Sequence, residues 1–496
     1  MPARVLMFQG TGSDVGKSSL VAGLCRAAKK RGIRVAPFKP QNMSNNAAAC
    51  ANGGEIGRAQ ALQAKACGLP LDTDFNPVLL KPQSDMNAQV VVHGRVLGTT
   101  SASDYWNSER TQLMQAVLDS FYRLHEQYDL ILVEGAGSAS EINLRARDIA
   151  NMGFARAVES PVSLIGDIDR GGVIASLVGT KNVIDPDDAS LITSFIVNRF
   201  RGDPTLFENG VSAIESITNW PCRGVVPWLS EIRRLPQEDA VVLESDSGSI
   251  QSNGADQLLI AVPMLSRIAN FDDLDPLRAE PNVEVFFVSP GRPIPRHADA
   301  VVIPGTKSTL LDLAFMRAQG WDHDVIALAR NGVRVLGICG GYQLLGKTIS
   351  DPEGLEGQPG RVDGLGLLDV VTEMSKGKAV QQVEGICTRS EHAVQGYEIH
   401  IGVTTGEAIS RPMLVTQGKH DGAISANGLV EGTYMHGLFS SDKFRSWWLD
   451  SIRSGVSSNV NYDAQVEKDL DALAAALENS LHVDALLSDA QLPRTR

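Results

Sequence analysis

A short apolar strand, Val5–Phe8, runs into Gly10-Thr-Gly-Ser-Asp-Val-Gly16-Lys17-Ser18 and then into a helical pattern from Ser18 to Arg31. Few folds accommodate that order. The glycines let backbone N–H groups approach phosphate oxygens, and the helix start adds the positive end of its dipole. The chain is therefore expected to open with an α/β domain that holds a nucleotide through Gly12, Gly16, Lys17 and Ser18. Lys17 suits the β- and γ-phosphates, and Ser18 suits Mg²⁺. ATP and Mg²⁺ are the expected cofactors. The loop has one residue more than the usual G-x-x-x-x-G-K-[ST]. A chance Gly-rich turn is the bland alternative, and the preceding strand argues against it.

The rhythm of apolar runs and helical patterns continues as parallel α/β units. Further strands are expected at Ile33–Phe38, Leu130–Val133, Val162–Ile165 and Leu191–Val197, with a helix over Glu109–Glu126. These make one domain, residues 1–235. A stretch rich in Ser, Gly and Asp, Glu244–Asp256, reads as part of a linker over 236–256. Strands resume at Leu258–Val262, Val283–Val288, Ala300–Ile303 and Val333–Ile338, which predicts a second α/β domain over 257–445. Residues 446–496 read as a helical tail, with apolar positions in Leu470–Leu477 and Leu481–Leu487. The expected fold class is two parallel-sheet, three-layer domains with that tail.

Polar residues at the C-terminal ends of parallel strands face the ligand crevice. Lys39, in Phe38-Lys39-Pro40, could meet a transferring phosphate or a substrate carboxylate. Glu134, in Val133-Glu134-Gly135-Ala136-Gly137, suits a Mg²⁺ ligand. Asn198 could present its amide to a purine edge. Glu55, Asp148 and Asp169 are weaker metal candidates, since each could be a helix cap or a surface charge.

In the second half, Val333–Ile338 runs into Gly337-Ile338-Cys339-Gly340-Gly341-Tyr342-Gln343 and then a helix. This is the thiol form of a nucleophile elbow. Small flanking residues allow the tight turn, and the helix start, at Gly340, favours thiolate and oxyanion. Cys339 needs a base. His436, in Met435-His436-Gly437-Leu438, is the best partner and His400 the runner-up. The loop Pro304–Thr309, beginning with Gly305, could donate N–H groups to an oxyanion. The bland alternative for Cys339 is a buried inert thiol.

The net charge of −13 argues against a nucleic-acid partner. Six scattered cysteines with no C-x-x-C pair fit neither a disulfide framework nor a zinc site. No apolar run long enough to span a membrane occurs, and a cytoplasmic setting is the expectation.

Together these motifs resemble known families. The second domain resembles class I, flavodoxin-like glutamine amidotransferases through Gly337-Ile-Cys339-Gly-Gly341, Gln343 and His436. Those commonly carry a Glu two residues after the His, where this chain has Leu438. Gly437-Leu438-Phe439 matches the cobalamin-type subgroup, so a Cys339–His436 pair without a third member is expected. The first domain resembles the dethiobiotin synthetase-like P-loop group. That resemblance implies that Ser18, Glu55 and Glu134 meet Mg²⁺ and that Asn198 meets adenine. Both halves in this order, with Lys39–Asn46 and Asp167–Gly172, resemble the cobyric acid synthase family. The resemblance implies ATP- and glutamine-dependent amidation of an adenosylated corrinoid at four side-chain carboxylates, b, d, e and g. Two rivals remain. One is the cobyrinic acid a,c-diamide synthase type, and the other is a partitioning-type regulatory ATPase. Partitioning-type ATPases carry a lysine early in the loop, whereas this chain has Gly10, Thr11 and Gly12 there.

Overall fold

The computed structural model describes residues 2–83, 87–101, 110–229, 232, 234–238 and 257–494. The expected linker lies, from residue 239 onward, outside the described residues.

Six parallel strands form the first large sheet. They are β1 (Arg4–Gly10), β2 (Val35–Phe38), β3 (Leu130–Glu134), β4 (Val162–Asp167), β5 (Ile192–Phe200) and β6 (Cys222–Pro227). Their order is β6-β5-β4-β1-β3-β2. Near-continuous Val, Ile, Leu and Phe runs bury both faces, as a parallel sheet covered by helices requires. Register sets the site. Phe8 stands opposite Glu134 and Asp167 opposite Asn198. The loop after β1 therefore emerges beside the ends of β3 and β4 and leads into α1 (Lys17–Lys30). The expected helix at 109–126 is present as Arg110–Gln127. Strand β6 was not anticipated, because its charged Arg223 and interrupting Gly224 hide the alternation.

The second large sheet holds β7 (Leu258–Pro263), β8 (Val283–Val288), β9 (Ala300–Ile303), β10 (Arg334–Ile338), β11 (Ala423–Ile424) and β12 (Val430–Thr433). The order is β8-β7-β9-β10-β12-β11, parallel except for β11. Strand β10 is flanked by β9 and β12, with Ile303 opposite Gly337 and Thr433 opposite Ile338. Whatever follows these three strands converges at one edge. Cys339 follows β10 and starts the short α2 (Gly340–Leu344), Gly305 follows β9, and His436 follows β12.

Smaller sheets, one of them with a parallel pair beside its antiparallel ones, lie between the two halves, and periodicity did not reveal them. One pairs Gln41–Met43, Val78–Pro82, Asn87–Val92 and Arg95–Ser101. Another pairs Ala379–Cys387 with Ala393–His400. Ala47, Ala49, Leu79 and Val91 from the first half pack with Tyr397 and Ile399 from the second in a shared apolar cluster.

The tail divides. α3 (Asp442–Ile452) runs across position 445, the expected domain end, and buries Phe444, Trp448 and Leu449 in the second core. α4 (Tyr462–Ser480) and α5 (Val483–Asp489) return to the first half. Leu470, Leu473 and Leu477 pack with Leu20 and Leu24 of α1. A Cβ at Gly23 would lie 2.5 Å from Leu477 Cδ1 and 2.9 Å from Leu473 Cγ, so α1 and α4 approach closely at this glycine. Arg26 pairs with Asp471 at 2.7 Å. Finally, Val5 N–H donates to Gln491 O at 2.8 Å and Gln491 N–H donates back at 3.1 Å, joining the first strand to the last residues.

Candidate active site

The phosphate loop is built as its sequence implies. Gly16 takes φ 88°, the left-handed region that favours glycine, and α1 follows at once. Lys17 Nζ donates to Gly12 O at 3.0 Å and Gly137 O at 2.9 Å, which holds its ammonium over the loop. Ser18 Oγ donates to Glu134 Oε1 at 2.7 Å, and Lys39 Nζ donates to the same oxygen at 2.8 Å. Gln63 Nε2 reaches Glu134 Oε2 at 2.6 Å. Burial alone would push the Glu134 carboxyl up, but Lys39 and these donors hold it below its ordinary range and ionised. Gly16, Lys17, Ser18, Lys39 and Glu134 all line a cavity of about 650 Å³.

Ser18 and Glu134 together form a hydroxyl–carboxylate pair facing that cavity. This donor set fits Mg²⁺, which takes few protein oxygens and completes its shell with water and phosphate. Among the described residues no cluster of three or more His, Cys, Asp or Glu is arranged to hold a metal.

Glu55, Asn198, Asp148 and Asp169 are each held by other partners. Glu55 is not brought to the loop. Its Oε2 accepts from Lys81 Nζ at 2.9 Å and its Oε1 from Lys378 Nζ, a residue of the other half. Burial opposes the charge, but the two ammonium groups pull Glu55 down to about 2. Asn198 lies under the loop rather than open to a base. It is buried, its Nδ2 donates to Val15 O at 2.8 Å, and it presses against Gly16. Asp148 accepts from the N–H groups of Ala150, Asn151 and Gly153 and thus caps a helix start. Asp169 pairs with Arg201 at 2.5 Å.

The second site forms where β9, β10 and β12 end. Cys339 has φ 54° and ψ −112°, a strained conformation for a residue with a side chain. The turn is possible because Gly337 and Gly341 meet backbone to backbone, where a Cβ on either would fall within 2.5 Å of main-chain atoms. Gly305, Gly340, Cys339, His400 and His436 line one narrow cavity. In the Pro304–Thr309 loop, the N–H groups of Lys307, Ser308 and Thr309 already bond Arg267 O, Thr306 Oγ1 and Glu356 Oε2. Gly305 and Gly340 line the cavity beside Cys339. His400 lines the cavity, but its Nε2 lies toward Glu398, 3.9 Å away.

His436 is not left as half of a pair. Its Nδ1 lies 2.7 Å from Asp273 Oδ2, and Asp273 Oδ1 accepts from Gly437 N–H at 2.7 Å. The Tyr397 ring stacks on the imidazole at 5.3 Å. The position two residues after the His is Leu438, buried in the core, and the acid comes instead from a turn 163 residues earlier in the chain. Burial works against an imidazolium, but Asp273 and Cys339 outweigh it and raise His436 to about 10. Asp273 is a positioning residue: it fixes the ring and its tautomer.

Loss of the imidazolium should limit glutamine hydrolysis only near pH 10. Asp273→Asn removes the larger of the two charges that raise His436, so this alkaline limb should move down toward the ordinary imidazole value of about 6.5. The rate should also fall by roughly 10⁴-fold, the scale seen when an orienting acid is lost. A pH–rate profile of ammonia release reads both, and an unmoved alkaline limb would contradict the assignment.

Fold and sites define a class: a P-loop nucleotide-binding domain joined to a glutamine amidotransferase domain. Residues 6–242 match the CobQ/CobB/MinD/ParA nucleotide binding domain family, and residues 259–444 match the CobB/CobQ-like glutamine amidotransferase domain family. Whole-chain relatives are more specific. Cobyric acid synthase of Hyphomonas neptunium is 60% identical over 496 residues, covering 100% of this chain and 99% of that one. Those of Bradyrhizobium sp. strain BTAi1 and Cereibacter sphaeroides strain ATCC 17025 are each 57% identical, covering 100% and 98% of this chain and 99% of theirs. The chain belongs to the cobyric acid synthase family. No helix among the described residues is long and apolar enough to cross a membrane.

Proposed function

We propose that this enzyme amidates the b, d, e and g carboxylates of adenosylcobyrinic acid a,c-diamide, taking nitrogen from L-glutamine and activation from ATP. The observation that carries the reading is the joint construction of the two sites. Asn45 and Lys81 of the nucleotide-binding half line the same cavity as Cys339 and His436. Family membership along the whole chain supports the corrinoid substrate.

A carboxylate is a poor electrophile. Lys17 and Lys39 place positive charge where the γ-phosphate moves to a corrinoid carboxylate oxygen, giving an acyl phosphate and ADP. Mg²⁺ held by Ser18 and Glu134 would neutralise phosphate charge. At the other site Cys339 Sγ attacks the glutamine amide carbon, and Gly305 and Gly340 N–H groups face the developing oxyanion. His436, oriented by Asp273, gives its proton to the departing ammonia. Water then cleaves the thioester to glutamate. Neutral ammonia displaces phosphate from the acyl phosphate and leaves an amide.

Two measurements test this. ATP labelled with ¹⁸O at the β,γ-bridge should scramble its label only when the corrinoid is present, since reversible phosphoryl transfer frees the ADP oxygens to rotate. Product masses should advance through four amidations. Accumulation of a product with only two would favour the a,c-diamide synthase type, and an absence of corrinoid-dependent scrambling would count against the acyl phosphate.

A further inference from the structure

The cavity around Cys339 contains more charge than the cysteine chemistry uses. Three lysines, Lys81, Lys307 and Lys378, gather there with two acids, Glu55 and Glu356. Lys81 and Lys378 both bond Glu55. Glu356 Oε2 accepts the Thr309 N–H at 2.7 Å. Lys307 is different. It is only 9% exposed, and among the described residues its ammonium has neither a hydrogen bond nor an ion pair. Burial and then Lys81 pull its pKa below the ordinary value, and the more weakly felt charges of Glu356, Glu55 and Cys339 do not offset them. A buried ammonium without a partner is costly, and its usual explanation is a ligand that supplies the missing anion.

A second unmatched group faces the same space with the opposite demand. Asn45 Oδ1 is buried and accepts no hydrogen bond. One cation that lacks an anion and one acceptor that lacks a donor, beside a nucleophilic thiol, complement a zwitterionic amino acid. Asn45 belongs to the Lys39–Asn46 segment of the first half, while Lys307 follows β9 of the second. The next residue, Asn46, bonds the Asn270 backbone N–H through its Oδ1 at 2.5 Å, and Ala47 N–H returns a bond to Asn270 Oδ1 at 2.9 Å. Asn45 is therefore fixed at the junction and is not a loose loop residue.

We infer that Lys307 binds the α-carboxylate of glutamine and Asn45 accepts from its α-ammonium, so that the substrate is gripped from both halves while Cys339 attacks its side-chain amide. Lys307 is then the main reader of the amino-acid end, and the glutamine site is complete only while the two halves are in contact. The inference rests on the amidotransferase reading above, and its test separates the two.

The test uses the full enzyme and measures ammonia release from three amides. These are glutamine, 4-aminobutanamide, which lacks the α-carboxylate, and glutaramate, which lacks the α-ammonium. Wild-type enzyme should prefer glutamine to both in kcat/KM. In Lys307→Met the preference over 4-aminobutanamide should shrink by roughly 10- to 100-fold, the scale of a lost hydrogen bond to a charged group. In Asn45→Ala the preference over glutaramate should shrink, and the preference over 4-aminobutanamide should stay. Each ratio is internal to one protein, so partial misfolding cancels. An unchanged ratio in either variant overturns the inference. So does a wild-type enzyme that hydrolyses glutamine and both analogues equally well, a result that needs no variant at all. Failure of the wild type to hydrolyse glutamine would instead overturn the amidotransferase reading itself.

Discussion

Cys339→Ala should abolish glutamine-driven turnover and leave ammonia as a working nitrogen source. The expected loss with glutamine is about 10⁴-fold or more, because no other group at the β10 edge can take over nucleophilic attack. The substitution is mild for the fold. It removes one sulfur from a side chain that is 7% exposed and leaves the backbone turn to its glycine neighbours. Ammonia-dependent amidation should survive because the phosphate loop, Lys39 and Glu134 lie in the other half and touch neither Cys339 nor His436. The assay compares corrinoid product formed with glutamine and with an ammonium salt at alkaline pH. Wild-type-like activity with glutamine would sink the assignment of Cys339.

Lys17→Ala should produce the complementary result, with turnover lost for both nitrogen sources. Two effects combine. The variant lacks the ammonium that meets the transferring phosphate, which on its own costs roughly 10²- to 10³-fold. It also frees Gly12 O and Gly137 O, which Lys17 now ties together across the loop. Loss of those bonds loosens the cradle and costs about 1–3 kcal/mol locally. Ammonia cannot rescue this variant, because without an acyl phosphate there is no electrophile for it. If ammonia restored turnover to Lys17→Ala, carboxylate activation would have to occur elsewhere.

The opposite responses of these two variants reflect what local sequence can convey. Gly10–Ser18 and Gly337–Gly341 each specify a strand, a turn and a helix start within about a dozen residues. Their chemistry is legible because the fold around them is local. Lys39, Glu134 and His436 were also readable as candidates, since each sits at or within three residues of the end of a strand whose parallel neighbours bring it to the sheet edge. Asp273 was not readable. It sits in the turn Asn270–Leu274, after Asn270 in a left-handed conformation, and nothing in its neighbourhood distinguishes it from the chain's other acids. Only the packing of that turn against Gly437 reveals its role. Glu55 failed for the reverse reason. Analogy placed it at the metal, but its actual partners, Lys81 and Lys378, lie 26 and 323 residues away. A contact that spans two halves leaves no periodicity to read. Asn198 directly follows a predicted strand, Leu191–Val197, at the expected edge, yet its side chain turns inward beneath Val15.

One feature of the fold bears on how the protein is made. The helices that close the core over α1 lie at the far end of the chain, and Gln491 pairs with Val5 in the first strand. At a synthesis rate of roughly 5–20 residues per second, the nucleotide-binding half leaves the ribosome on the order of tens of seconds before the segment that covers it. During that interval Leu20 and Leu24 lack their covering leucines. By the time those leucines emerge, the whole amidotransferase half has already been translated. The ATP site and the ammonia source are thus finished together, and a chain cut short between them has neither a closed first core nor a complete glutamine pocket.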